Sequence, residues 1–309
     1  MASLVEGYLA ARRQMGFALE IAGKQLLAFG RFADEGGHRG SLTAELMVRW
    51  ARDAGQEKPL ASARRLEVLR PFAKYRSQFD SATEMVPRNF FGPAHRRLVP
   101  HIYTGHEIRE LLKATDNLLP ADGLRPLTYH TLLGLIAATG LRISEALHLK
   151  PQDVDLDQKL LTVRETKFRK SRLVPLHSTT AAALARYAKV RQNKIGCQTL
   201  RAFFVSDRGE PLPDRTVHST FEKLRGRLGW AARGGHSAPR IHDLRHSLIC
   251  KVLLRSYQQR QPIDNVIDAL STYVGHAKVS DTYWYVTAIP DLMAIAAQRF
   301  AQFAEGGAR

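Results

Sequence analysis

Apolar positions recur at helical spacing along most of this chain, and one stretch changes to a period of two. In residues 3–35, Leu4, Tyr8, Leu9, Leu26, Leu27, Phe29 and Phe32 fall on helical faces, with breaks expected around Gly16 and Gly23. The glycines between Glu35 and Gly40 mark a loop, and Thr43 is placed to cap a helix carrying Leu46, Val48 and Trp50. From Ser62 to Arg76 apolar and cationic side chains alternate at helical spacing, and Pro71 either kinks this helix or opens a second one. These patterns predict a small all-helical domain over residues 1–85. Periodicity then fades between 86 and 101, where Pro87, Pro93 and Pro100 suggest a linker.

Thr104 and Glu107 form a capping box for a helix over Ile108–Thr115, and the apolar stretch Tyr129–Thr139 predicts a second, stopped by Gly140. A short helix is expected from Ser144. The period of two then appears in Leu160–Glu165 and again in Arg172–Leu176, around a basic turn, and predicts a hairpin. Ala181–Arg191 and Asp214–Leu228 suit helices, and Arg201–Val205 suits a short strand. Further helices are expected from about His242, over Ile263–Thr272 and Asp281–Tyr285, and over 291–304. The fold class is therefore mainly α with a small antiparallel β-sheet. A helical N-terminal domain precedes a mixed, mostly α domain over residues 102–309.

Charge narrows the function. The 309 residues hold 46 Lys and Arg against 29 Asp and Glu, a net charge of +17, and both halves of the chain are basic. A polyanionic partner touching both halves, nucleic acid first, is the natural expectation. No run of about 18 apolar residues suggests a membrane span. The N-terminus lacks the pattern of a secretory signal, and Cys197 and Cys250 form no CxxC. A reducing cytoplasm, with association to the nucleoid, is the expected location.

Chemistry concentrates in three blocks. Arg142 follows the helix stop at Gly140; His242 and Arg245 lie at i and i+3 on one helix face; His276 precedes Tyr285 by nine residues. Cleaving a phosphodiester without a metal needs a nucleophile, cations for the charge developing on phosphorus, and an acid for the leaving oxygen. Arginine suits the second task because its planar fork meets two phosphate oxygens and stays charged. A tyrosine, with a pKa near 10, needs a base or a field of cations to attack at neutral pH. Asp243 and Asp281 lack companions at ligand spacing, so neither a metal nor a cofactor is expected. Tyr283 is the rival nucleophile, expected to pack beside Trp284; His246 and Glu145 are expected to support their neighbours.

Thr139-Gly-Leu-Arg142-Ile-Ser-Glu145, the basic hairpin, His242-Asp-Leu-Arg245-His246 and Gly275-His276 with Tyr285 form a long ordered pattern. It resembles the tyrosine recombinase (phage integrase) family, Xer-type recombinases included, over roughly residues 100–290. The resemblance implies that Arg142 and Arg245 hold the scissile phosphate and that His242 moves a proton to or from the nucleophile. It also implies that His276 hydrogen-bonds the phosphate and that Tyr285 forms a 3′-phosphotyrosine. The hairpin lysine that protonates the leaving 5′ oxygen would be Lys167, with Lys170 touching DNA at the turn.

By the same resemblance the N-terminal domain would be a core-binding domain closing a clamp over duplex DNA. Arg64, Arg65, Lys74, Lys170, Arg172 and Arg215 are the candidate DNA contacts. The 291–304 helix would pack on its own domain or dock into a neighbouring subunit. The expected partner is double-stranded DNA with an inverted-repeat core site. On it the chain would assemble as a homo-oligomer, a tetrameric synapse, or with a sister recombinase. A type IB topoisomerase and a catalytically silent DNA-binding regulator are the alternatives.

Overall fold

A computed structural model describes residues 1–53, 59–95, 97–164, 171–196 and 200–288, together with 293, 294, 297 and 301. The chain divides into two compact units, Met1–Arg97 and Leu98–Arg309.

Among the described residues the first unit holds four helices: α1 (Ala2–Gln14), α2 (Glu20–Glu35), α3 (Ala44–Arg52) and α4 (Pro59–Arg76). Their apolar stripes meet in a core built on Phe29, Trp50, Leu69 and Phe72. Phe29 packs edge-to-face on Trp50 at 5.4 Å between ring centroids. The two glycines expected to break the first helix behave differently. Gly16 turns the chain with φ of +86°, whereas Gly23 is buried inside α2 against Leu9 of α1. Gly23 therefore marks a close helix contact and not a break. Pro71 does not open a second helix; it lies inside α4, with Leu69, Phe72 and Ala73 buried on either side of it.

The expected linker begins later than its prolines suggest. Val86 is buried in the first core, and Arg70 donates to the carbonyls of Val86, at 2.9 Å, and Pro87, at 2.6 Å. Residues 86–95 thus pack on α4, and the division between units falls after Arg97.

The second unit begins with α5 (Gly105–Thr115), whose capping box is formed by Thr104 and Glu107, and α6 (Arg125–Thr139). Leu132, Leu133, Leu135 and Ile136 of α6 are all buried, as a helix that is apolar all round requires. After α7 (Ile143–Leu147) and a 3-10 turn at Pro151–Asp153 come three antiparallel strands, β1 (Val154–Asp155), β2 (Leu160–Val163) and β3 (Arg172–Pro175), in that order. The register pairs Leu161 with Val174 and buries both. α8 (Ser178–Ile195), α9 (Asp214–Leu228), α10 (Ile241–Gln258), α11 (Ile263–Val274) and α12 (Ser280–Ala288) follow.

One expected strand is absent. Residues 201–205 bend instead of pairing in a ladder, apart from a single bridge between Val205 and Pro211. Their apolar side chains are buried, but their backbone finds other partners: Phe203 N donates to Leu149 O at 2.6 Å and Val205 N to the Tyr187 hydroxyl at 3.1 Å. Burial and satisfied amides do not require a sheet.

Candidate active site

Two glycine stops aim the arginines. Gly140 ends α6 in the left-handed region, φ +66°, and the chain leaves it into Leu141 and Arg142. Gly275 ends α11 in the same way, φ +70°, and leads into His276. Arg142 Nη2 donates to the Gly275 carbonyl at 2.9 Å, and Arg245 Nη1 on α10 donates to the Gly140 carbonyl at 2.7 Å. Each arginine is thereby held by the backbone turn that precedes another site residue.

Glu145, buried in the first turn of α7, organises the cations. It accepts Arg142 N at 3.0 Å and Arg142 Nη1 at 2.7 Å, and Arg172 in a two-pronged pair at 2.8 and 3.1 Å. Arg172 also donates through Nε to the Tyr273 carbonyl at 2.9 Å. Burial raises the Glu145 pKa, but hydrogen bonds from Arg172 and the Arg142 backbone outweigh it and hold the carboxyl below its ordinary range. Arg172 was expected to touch DNA. Its guanidinium is instead turned inward to tie β3 to α7 and α11.

Arg245 is 1% exposed, and its Nη2 has no hydrogen-bond partner among the described residues. Burial and the neighbouring Arg142 charge pull its pKa down to about 10, so it stays cationic at neutrality. Arg142, Arg172 and Arg245 against the single carboxylate of Glu145 leave surplus positive charge, in a place suited to an anion. Beside them opens a cleft of about 850 Å³ lined by Arg142, Ser144, Lys150, Arg164 and Ser171.

The face of α10 that carries Arg245 also carries His242 and His246, whose rings meet edge-to-face at 4.6 Å. His242 is exposed at the surface yet crowded by protein. Desolvation, with Arg245, Arg240 and Arg142 nearby, lowers its pKa to about 4. His246 is half-buried, and burial with His242 and the same arginine-rich surroundings lowers it to about 2. Both imidazoles are neutral at pH 7.

Helix α12 packs on α10 and α11 and brings Tyr285 into this cluster, 3% exposed. The Tyr285 hydroxyl is hydrogen-bonded to His246 Nδ1, and its ring lies parallel to that of His276, 6.3 Å away at 7°. His276 Nδ1 is in turn 2.7 Å from Thr282 Oγ1. Tyr283 points elsewhere, donating to Asp264 Oδ1 at 2.7 Å.

Arg142, His242, Arg245, His276 and Tyr285 are thus brought together. Lys167 and Lys170 lie outside the described residues, as does most of the 291–304 helix. Sequence reasoning assigned His246 a supporting role; its i+4 spacing from His242 was the available signal that both share one face. Of the other candidate DNA contacts, Arg64, Lys74 and Arg215 are exposed. Arg64 Nε donates to the Ala94 carbonyl at 3.3 Å, and Arg65 stacks over Trp50 at 3.9 Å.

A model described as the phage integrase family matches residues 102–290. The putative integrase/recombinase y4rB of Sinorhizobium fredii is 37% identical over 299 residues, covering 96% of this chain and 95% of that protein. The tyrosine recombinase XerD of Brucella melitensis is 27% identical over 235 residues, 74% of this chain and 71% of that protein. Among solved structures, the Tn1549 transposon integrase in complex with transposon right end DNA matches with a TM-score of 0.66 and 15% identity, covering 97% of this chain and 99% of that one. The XerH site-specific recombinase bound to palindromic difH substrate matches with a TM-score of 0.62 and 17% identity, covering 90% and 78%. At such identities the two structures speak for a common fold. The match over residues 102–290 and the near full-length relative together place this chain in the phage integrase family, that of the tyrosine recombinases.

Proposed function

We propose that this protein is a site-specific DNA recombinase that cleaves and rejoins strands through a 3′-phosphotyrosyl link at Tyr285. As a family member it is a DNA strand-transferring enzyme. The observation carrying the residue assignment is the delivery of the Tyr285 hydroxyl by α12 into the cluster of Arg142, His242, Arg245, His246 and His276.

In this reading Arg142 and Arg245 neutralise the non-bridging oxygens as phosphorus becomes pentacoordinate. Preorganised donors of this kind each contribute about 10²–10³ in rate. His276 hydrogen-bonds the phosphate, His242 takes part in moving a proton to or from the nucleophile, and Lys167 protonates the 5′ oxygen that leaves. Bond energy is kept in the enzyme–DNA link, so no nucleotide is consumed. Arg64, Lys74 and Arg215 hold the backbone of duplex DNA, with Lys170 at the hairpin turn.

The partner is a duplex with inverted repeats about a short core, on which copies of the chain assemble as a tetrameric synapse, alone or with a sister recombinase. The work is cytoplasmic, at the nucleoid. Integration, excision or transposition of a mobile element and dimer resolution all use this chemistry. The near full-length relative named as an integrase/recombinase favours recombination over a type IB topoisomerase. A nicked suicide duplex, built on the sequence the protein selects from a randomised pool, tests the proposal. A covalent adduct and strand exchange are expected; DNA binding with no adduct would leave the silent regulator.

A further inference from the structure

Which atom receives the phenolic proton depends on what touches the Tyr285 hydroxyl. His242, the histidine that the family pattern points to, is one ring removed: it packs edge-to-face on His246. His246 Nδ1 is the group seated on the Tyr285 hydroxyl. The two rings are also tilted together, 5.5 Å apart, so the contact is a broad one between α10 and α12. We infer that His246 is a catalytic residue of strand cleavage, its Nδ1 taking the Tyr285 proton as the phenolic oxygen bonds to phosphorus. This rests on the assignment of Tyr285 as nucleophile.

The step balances as written. The Tyr285 Oη–P bond forms and the P–O5′ bond breaks, its electron pair staying on O5′. The phenolic proton moves to His246 Nδ1, leaving an imidazolium, and O5′ takes one proton from a separate acid, the role proposed for Lys167. Rejoining runs backward, with His246 returning its proton to the tyrosine oxygen.

The surroundings make this base dependent on substrate. Facing His246 are Arg240, His242 and Arg245 from its own helix, His276 from the turn after α11 and Tyr285 from α12, with Arg142 beyond Arg245. Without DNA, burial and these cations keep the imidazole neutral. A phosphate entering between the arginines brings negative charge into the same cluster and raises the basicity of the ring. The charge of a bound phosphodiester thus strengthens His246 as a base at the moment there is a bond to attack.

Two measurements on the full-length protein decide the matter. Nitrogen-15 spectra of the histidines should show His246 with its proton on Nε2 and Nδ1 accepting, and Tyr285→Phe should shift that Nδ1 resonance. A proton on Nδ1 in the free protein would overturn the proposal. On the nicked duplex selected from a randomised pool, His246→Gln and His246→Asn should bind like the parent and form adduct about 10²–10³-fold more slowly at pH 7. That deficit should shrink toward pH 9.5, where phenol ionises without help. Cleavage at the parental rate, or a deficit unchanged by pH, would overturn it. Adduct formation by Tyr285→Phe would instead show that the nucleophile itself is misassigned.

Discussion

Tyr283 and Tyr285 sit two residues apart on α12 and meet different surroundings. Tyr285 is 3% exposed, with its hydroxyl on His246. Tyr283 is 45% exposed, with its hydroxyl on Asp264 of α11, whose carboxylate raises the phenol pKa. A phenol bonded to a carboxylate and facing solvent is poorly placed to attack an anion. Tyr285→Phe should therefore bind the selected duplex yet form no adduct, whereas Tyr283→Phe should retain adduct formation within a few-fold. Gel separation of covalent complexes on a suicide substrate reads both; the reverse pattern would transfer the nucleophile to Tyr283.

Glu145→Gln removes the shared partner of Arg142 and Arg172. Leaving two half-buried guanidinium groups without their carboxylate costs less than the roughly 3–5 kcal/mol of a fully buried pair, because solvent reaches part of each. The sign with pH follows from the lowered pKa. The stabilisation by Glu145 is complete above its ordinary value of 4.5 and is lost as pH falls through its folded value, below 4.5. Urea unfolding should show the parent losing this contribution below about pH 4.5. Glu145→Gln should be weaker at pH 7 and flatter in that acid window.

Gly275→Ala should harm both stability and cleavage. Its φ of +70° is strained for alanine by about 1–2 kcal/mol, and a new Cβ would lie 2.5 Å from Arg172 Nη1, which Glu145 holds in place. Gly226→Ala is the contrast: it lies inside α9 with open space around the new methyl, and should stabilise by about 0.5–1 kcal/mol. Midpoints of urea unfolding should move in opposite directions, and only Gly275→Ala should slow adduct formation.

The cations of the site belong to arginines, so cleavage should persist in EDTA; abolition by chelator and rescue by a divalent metal would refute the mechanism. Binding should weaken steeply with salt, since a net charge of +17 on DNA acts through released counterions. With 6–10 phosphate contacts, affinity should drop about 10³–10⁵-fold between 50 and 200 mM salt. A flat salt response in filter binding would contradict a backbone-led interface.

Helix periods, glycine stops and the capping box at Thr104 were legible because each depends on near neighbours in the chain. The same local logic misread Gly23, since a glycine admitting another helix looks like one ending its own. It also turned 201–205 into a strand, because an apolar run reports burial and not which groups satisfy its amides. In the site, residue types and order pointed to phosphate chemistry, but pairing did not. Arg172 is basic and near a hairpin turn, which suggests DNA; only the fold brings Glu145 against it. His246 likewise depends on how α12 docks on α10, a fact no spacing encodes.

The contacts that aim the arginines also set the order in which the site can be put together during synthesis. Arg142 reaches the Gly275 carbonyl, 133 residues later, and the Arg245 guanidinium reaches back 105 residues to Gly140. During synthesis, Gly140 and Arg142 emerge long before Gly275 and Arg245 exist. A chain cut short before α11 keeps the Arg142 pair with Glu145 but lacks the Gly275 carbonyl that holds Arg142 Nη2, and it has no Tyr285. On the proposed assignment the nucleophile is the last of the clustered residues to be made, so the cations are in place before there is a group for them to assist.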